Sequence, residues 1–197
     1  MDPLLAKIIF VFGYLVANFV IRTPYIKAHQ RLPIRSNRKT RLDTSLFIAV
    51  GIFGFFLPLI YVFTPVFSFA DYFIPLWVGI TGVAILALGN WVFWKSHKDL
   101  GGNWSPTLEI RQDHNLVTQG IYRQIRHPMY LSIWLLVIAQ AMILPNYVGG
   151  FAGLLPFGIL YFQRVSKEER MMQEEFGDAY TEYVRRTGRL LPRLRVR

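Results

Sequence analysis

Long apolar runs separated by charged stretches dominate the chain. Residues 4–21, 45–67 and 73–94 each approach or exceed the about 20 residues a helix needs to cross a bilayer, and 129–144 and 147–162 are shorter runs of the same kind. Lys7 lies close enough to the end of the first run to snorkel. Pro145-Asn146, between the last two runs, is a turn signal, so this pair reads as a tight hairpin that crosses and returns. The runs leave no polar face of the kind a soluble bundle turns to water. From Val165 the pattern changes. Val165, Glu169, Met172, Phe176, Ala179 and Tyr183 follow steps of three and four, and Arg186 continues them, marking one face of an amphipathic helix. Gly177 sits inside that stretch as a point where a helix can bend. The pattern predicts an all-α integral membrane protein of five transmembrane helices, with spans four and five as a short hairpin and a C-terminal amphipathic helix. It forms one domain over 1–197, in which 1–72 holds the first two spans and 73–197 the remaining spans, the polar loop and the C-terminal helix.

Charge sets the orientation. The chain carries a formal +10, yet only 17% of its 197 residues are charged and 53% are hydrophobic, against about 25% charged in soluble domains. Seven basic residues fall in 22–41, five in 95–126 and nine in 164–197, whereas 68–72 and the Pro145-Asn146 turn have none. Under the positive-inside rule the basic segments are cytoplasmic and the amino terminus is outside. Basic residues divided among three membrane-flanking segments argue against nucleic acid as partner and for membrane lipid. The charges of the first segment follow its apolar run, the reverse of a signal peptide, so it reads as a retained helix. The short single-chain form points to a bacterial or archaeal plasma membrane. The absence of cysteine excludes disulfides, thiolate metal ligands and a cysteine nucleophile.

The polar mass is concentrated in 95–127 and from Arg164 onward, on either side of the hairpin, which brings the two together. Arg126-His127-Pro128-Met129-Tyr130 runs straight into the fourth span, with Pro128 suited to the first helical turn. Free N–H groups there can bind an anion, with Arg126 and His127 beside it. The plainer reading is a basic stop at the membrane surface with Tyr130 in the aromatic belt. Glu169 is the one acid on the apolar stripe of the tail, where a carboxylate needs a partner or a cationic ligand. A surface helix with salt bridges is the simpler alternative. The four histidines have no metal-ligand spacing on one helix, and no metal site is expected.

Leu116-Val117-Thr118-Gln119-Gly120-Ile121-Tyr122, then Arg126-His127-Pro128-Met129-Tyr130, then Glu168-Glu169 before Phe176-Gly177, Tyr180, Tyr183 and Arg186 resemble the signature of the isoprenylcysteine carboxyl methyltransferase family, to which the phospholipid methyltransferases are related. The resemblance covers roughly 80–194. It implies S-adenosyl-L-methionine as cofactor. It also implies that His114, Leu116, Val117, Gly120, Tyr122, Arg126, His127, Tyr130, Glu168 and Glu169 line the cofactor pocket. Arg186 matches an arginine placed near the reacting methyl and acceptor, and with Glu169 it forms the expected catalytic pair. Ser132 departs from the family's usual glycine, and serine is still small enough for close helix packing.

The implied function is methyl transfer to a lipophilic acceptor, small-molecule or lipidated, at the cytoplasmic face, first of all O-methylation of an isoprenylcysteine-type carboxylate. A phospholipid amine or a small hydrophobic thiol or acid is the alternative acceptor. A carboxylate needs no general base but needs a cation to hold it, which Arg186 can supply as a bidentate fork; an amine must lose a proton. Trp77, Trp91 and Trp94 either line the acceptor's lateral way in or face lipid. A non-catalytic scaffold or lipid-binding protein is the competing class and leaves Glu169 without a purpose. A transporter would rely on Asn18, Asn90 or Gln140 in mid-membrane, with Pro58 and Pro156 as helix breakers.

Overall fold

A computed structural model describes residues 1–29, 34–37, 40–103, 109–111 and 115–193. The chain begins with α1 (Pro3–Leu15), which passes through a π-helical stretch (Val16–Ile21) into α2 (Arg22–His29). Asp2 caps α1 by accepting from the Leu5 N–H at 2.9 Å, one of the donors a helix start leaves unpaired. The second rod joins α3 (Arg41–Gly51), a π-helical stretch (Ile52–Phe56) and α4 (Leu57–Phe63). It starts earlier than its apolar run because Thr40 and Asp43 form a capping box. It stops at Phe63 because Pro65 disfavours the helical conformation at Thr64, which is extended. Next come α5 (Leu76–Leu100), α6 (Pro128–Ile143), α7 (Tyr147–Phe151) and α8 (Leu154–Arg186). By length and composition four helical segments, 3–26, 41–63, 76–100 and 147–186, can cross a bilayer, and α6 is a shorter apolar helix. The architecture is that of an all-α membrane protein.

Two features depart from the sequence pattern. The tail helix is not separate: α8 runs from the last apolar segment through the charged stretch to Arg186, because no glycine or proline falls between Gly158 and Gly177. At Gly177 the backbone takes φ 50°, the helix kinks, and its phase shifts. Ala179, expected on the inward stripe, is therefore exposed, while Tyr180 and Tyr183 are buried. The second departure is a two-stranded antiparallel ribbon of β1 (Ile34–Asn37) and β2 (Glu109–Arg111), which ties the first basic loop to the second.

The core is built by α1, α5 and α6 around Phe10, Ile143 and Leu144. Gly82 and Gly89 let α5 approach α6 closely: a Cβ at Gly82 would stand 2.8 Å from that of Met142. A second cluster around Phe157, Tyr161 and Val165 joins α8 to α6 and α3. Trp77, Trp91 and Trp94 lie on the exposed exterior, where hydrocarbon would surround them. The mid-span polar groups serve packing. Tyr14 donates its hydroxyl to Gln140 Oε1 at 2.5 Å, Gln140 Nε2 donates to the Gly149 carbonyl at 2.8 Å, and Asn90 Nδ2 donates to the Leu86 carbonyl of its own helix. Ser132 is fully buried with its hydroxyl on the Met129 carbonyl. Gln140→Leu removes the tie between α1, α6 and α7 and should lower stability in detergent by about 1 kcal/mol, read as a fall in thermal midpoint.

At the end away from the basic loops, Asn146 does more than turn the chain. Its Oδ1 caps α7 by accepting from the Gly149 N–H at 2.7 Å, and its Nδ2 donates to Phe67 O at 2.6 Å and Asp71 Oδ1 at 2.7 Å. The hairpin is therefore pinned to the connection between the second and third rods. At the opposite, basic end it delivers the start of α6 and the middle of α8 to one place.

Candidate active site

The site begins where α6 begins. Pro128 occupies the first helical position and His127 precedes it as N-cap. After α8 ends, the chain returns alongside this point: the Arg126 N–H donates to Gly188 O at 2.8 Å, the His127 N–H to Arg189 O at 3.0 Å, and the Gly188 N–H to Gln124 O at 3.0 Å. These backbone donors hold the tail rather than an incoming anion. The Arg126 guanidinium finishes the strap. Its Nη1 donates to Val184 O at 3.2 Å and Thr187 O at 2.5 Å, satisfying carbonyls that the end of α8 leaves open.

Glu169 stands at the centre. Its Oε1 accepts from Arg126 Nε at 3.2 Å, His127 Nε2 at 3.2 Å and Arg189 Nε at 3.1 Å, and its Oε2 accepts from Arg189 Nη2. Glu169 lies beyond the apolar segment 147–162 of its helix. Burial works against its ionisation, but hydrogen bonds from His127 and Arg189, with their charges, outweigh burial and hold the carboxyl at about 2. The same pairing pushes Arg189 up. Next to it, Glu168 Oε2 accepts from the Tyr130 hydroxyl at 2.8 Å, and His127 Nδ1 lies 4.0 Å from Glu168 Oε1. From Tyr130 an aromatic file leads inward: Tyr161 at 5.5 Å between ring centroids, then Trp134 at 5.9 Å from Tyr161, then Phe157 at 5.0 Å from Trp134.

A second wall comes from the segment before α6. Gly120 takes φ 59°, and a Cβ there would fall inside the Asp99 carboxylate, whose Oδ2 accepts from the Ile121 N–H at 2.7 Å. Lys95 donates to the other oxygen of Asp99 at 2.6 Å. Tyr122 is buried, and its carbonyl accepts from the Tyr183 hydroxyl at 2.7 Å. The last turns of α5 and α8 thus clamp residues 120–122 from both sides. Leu116 and Val117 are half-buried at the edge of this wall. Gly120→Ala should disturb it strongly, by about 1–3 kcal/mol in stability, read as a fall in thermal midpoint.

The sequence model of the isoprenylcysteine carboxyl methyltransferase (ICMT) family matches residues 80–174, the stretch that supplies both walls. Residues 80–174 of the chain are similar to the isoprenylcysteine carboxyl methyltransferase family. It is 28% identical over 114 residues to the protein-S-isoprenylcysteine O-methyltransferase of Schizosaccharomyces pombe, covering 57% of this chain and 48% of that protein. It is 27% identical over 118 residues to the human protein of that name, covering 59% and 42%. It is also 25% identical over 118 residues to protein-S-isoprenylcysteine O-methyltransferase B of Arabidopsis thaliana, covering 59% and 60%. The matches therefore span about half the length of these curated relatives. The solved eukaryotic intramembrane Ras methyltransferase ICMT superposes with a TM-score of 0.57 over 92% of this chain and 62% of that one, at 23% identity, a likeness of fold.

Of the residues the family resemblance singled out, Arg126, His127, Tyr130, Glu168 and Glu169 meet in one cluster, and Gly120 and Tyr122 form the adjoining wall. His114 lies outside the described residues. Arg186 stands apart: its side chain is 66% exposed and its Nε donates to Glu182 at 2.7 Å. With Thr118, Arg123 and Tyr183 it lines an open cleft of about 450 Å³. Two arginines were missed. Arg189 follows the helix end, and no periodicity reaches across Thr187-Gly188. Arg164 counted as one of nine basic tail residues, yet it is 7% exposed, one turn before Glu168, with its guanidinium 5.5 Å from the Phe47 ring. Its position four residues before Glu168 on one helix face was the available signal.

Proposed function

We propose that this chain transfers a methyl group from S-adenosyl-L-methionine to the carboxylate of a lipophilic, isoprenylcysteine-type acceptor at the cytoplasmic face of the membrane. The observation that carries the reading is the cluster of Glu169 with Arg126, His127 and Arg189 beside the Glu168–Tyr130 pair, all but Arg189 inside the segment the family model matches. The donor set fits a cofactor with a cationic sulfonium, an ammonium and a carboxylate. Among the described residues Glu168 accepts one hydrogen bond, from Tyr130, and so retains lone pairs for a cation. Arg126 and Arg189, held by Glu169, present charge for the carboxylate end. Leu116, Val117 and the 120–122 wall supply apolar surface for the adenine.

When bound, the cofactor supplies an electrophilic methyl group: as the acceptor oxygen's electron pair forms the O–C bond the S–C bond breaks, and no proton moves. The chain's task is then alignment and exclusion of water. Glu169 fixes the directions of Arg126, His127 and Arg189. Tyr130 and Tyr161 close the inner side. Arg164, buried beside Glu168, is better placed than the exposed Arg186 to hold an acceptor carboxylate at the membrane boundary, and the aromatic file behind Tyr130 gives an acceptor's tail an apolar path.

The test is calorimetric titration of the purified protein with S-adenosyl-L-methionine, followed by methyl transfer from labelled cofactor to N-acetyl-S-farnesyl cysteine. Saturable binding and transfer are expected. Arg164→Gln should raise the acceptor KM by about 10–100-fold, the worth of a charge-assisted hydrogen bond, with cofactor affinity kept. A folded protein that binds no cofactor would return the scaffold reading to the front. Transfer to a phospholipid amine instead would replace the carboxylate acceptor.

A further inference from the structure

The second rod precedes the segment the family model matches, which begins at residue 80, yet one of its carboxylates is tied to that segment beside the proposed site. Asp43 is 5% exposed in the first turn of α3 and divides its two oxygens between two helices. Its Oδ2 accepts from the Thr40 N–H at 2.9 Å and the Thr40 hydroxyl at 2.6 Å, which completes the cap of α3. Its Oδ1 accepts from Lys167 Nζ of α8 at 3.1 Å. Further along α3 the same face continues as Leu46, Phe47 and Val50, at steps of three and four, packed on the cluster of Phe157, Leu160, Tyr161 and Val165. Apolar burial is non-directional, so this contact joins the two rods without fixing how α8 is turned about its own axis. A hydrogen-bonded ion pair at one height has preferred distances and angles, and does fix it.

Successive residues of an α-helix are turned by about 100°, so Lys167 and Glu169 project about 200° apart, on opposite sides of α8, with Glu168 between them. The helix is therefore held from two sides where it meets the site. Glu169 binds Arg126, His127 and Arg189 on one side, and Lys167 binds Asp43 on the other. Glu168, between these tethers, accepts from the Tyr130 hydroxyl at 2.8 Å. With the Lys167 tether cut, α8 is free to turn about the Glu169 cluster, and a small turn carries the Glu168 carboxylate across the face it presents. We propose that Asp43 is a positioning residue for methyl transfer: through Lys167 it fixes the rotation of α8 that aims Glu168 at the cationic end of the cofactor. The proposal rests on the reading above that Glu168 receives this cation. Asp43 acts through Lys167 rather than by touching the reacting groups, and it brings a rod that the family model does not cover into the control of the site.

The test titrates the full chain in nanodiscs with S-adenosyl-L-methionine by calorimetry and reads the turn of α8 separately. The chain has no cysteine, so spin labels on cysteines introduced at the exposed Ser45 and Arg170 report the distance between α3 and α8 without interference. Asp43→Asn keeps an oxygen for the Thr40 cap and turns an uncharged amide toward Lys167, whose side chain is 30% exposed and can reach water. It should fold, weaken cofactor binding by about tenfold and shift or broaden the label distance, since a displacement of about 1 Å made far from the chemistry can cost about 100-fold. Lys167→Met should do the same, and it carries the comparison if Asp43→Asn does not fold, because it leaves the cap of α3 intact. The double variant should lose no more affinity than either single one, because all three cut one tether. Lys167→Arg rebuilds the ion pair and should recover most of the affinity. Gln140→Leu, which breaks a tie elsewhere in the bundle, controls for stability alone: its thermal midpoint falls while cofactor affinity stays within about twofold and the label distance is unchanged. Losses that add in the double variant, an unchanged label distance, or single variants that bind cofactor as wild type does would each overturn the inference and leave the reaction reading standing. Folded wild type that binds no cofactor would reject the reaction reading and, with it, the role given to the tether.

Discussion

Glu169→Ala should abolish measurable binding of S-adenosyl-L-methionine and lower stability by about 3–5 kcal/mol, because it strips Arg126, His127 and Arg189 of their shared acceptor. Arg126 is largely buried, with its side chain 9% exposed, so its charge cannot be handed back to water without moving the start of α6. Breaking a buried pair from one side costs this much because the remaining charge is left uncompensated. Glu169→Gln keeps the shape and one acceptor, so it should fold better than the alanine variant while still binding cofactor about tenfold or more weakly than wild type.

Acid separates the contributions further. The Glu169 carboxyl is lowered to about 2 in the fold, from an ordinary value near 4.5. Its stabilisation is therefore fully present above the unfolded value and is lost as pH falls from there toward 2. The gap in thermal midpoint between wild type and Glu169→Gln should be constant from about pH 7 to pH 5 and close below about pH 4. A gap that does not narrow in acid would mean that Glu169 acts through packing and not through its charge.

Arg126→Ala carries the second large effect. One guanidinium bridges Glu169, the Val184 carbonyl and the Thr187 carbonyl, so its loss opens the end of α8 and the acidic centre together. Destabilisation of about 3 kcal/mol or more is expected, with protease sensitivity appearing first after residue 184. Arg126→Lys should recover little, since a single ammonium cannot reproduce a planar fork serving several acceptors at fixed angles. Cofactor affinity should fall in both variants. Recovery of wild-type affinity by lysine would show that only the charge of Arg126 matters and that the strap does not.

The sequence by itself determined where the chain is apolar, where it turns, and which polar segments flank the hairpin. Hydropathy works here because a helix in hydrocarbon must be apolar along its length and must satisfy its own backbone, so local composition carries the information. The bend at Gly177, the special role of Gly120 and the meeting of 120–130 with Glu168-Glu169 were also legible, through glycine placement and the family signature. Tertiary structure alone decided the rest. Arg189 enters the site because the backbone after α8 pairs with that before α6, and no local pattern encodes a contact between such distant segments. Arg186, three residues after the buried Tyr183, is exposed at the end of α8 and pairs with Glu182 of its own helix. Arg164 is inward because a neighbouring rod supplies Phe47 to cover it. A cation's burial depends on what packs over it, a property of the assembled bundle and not of the residues next to it in the chain.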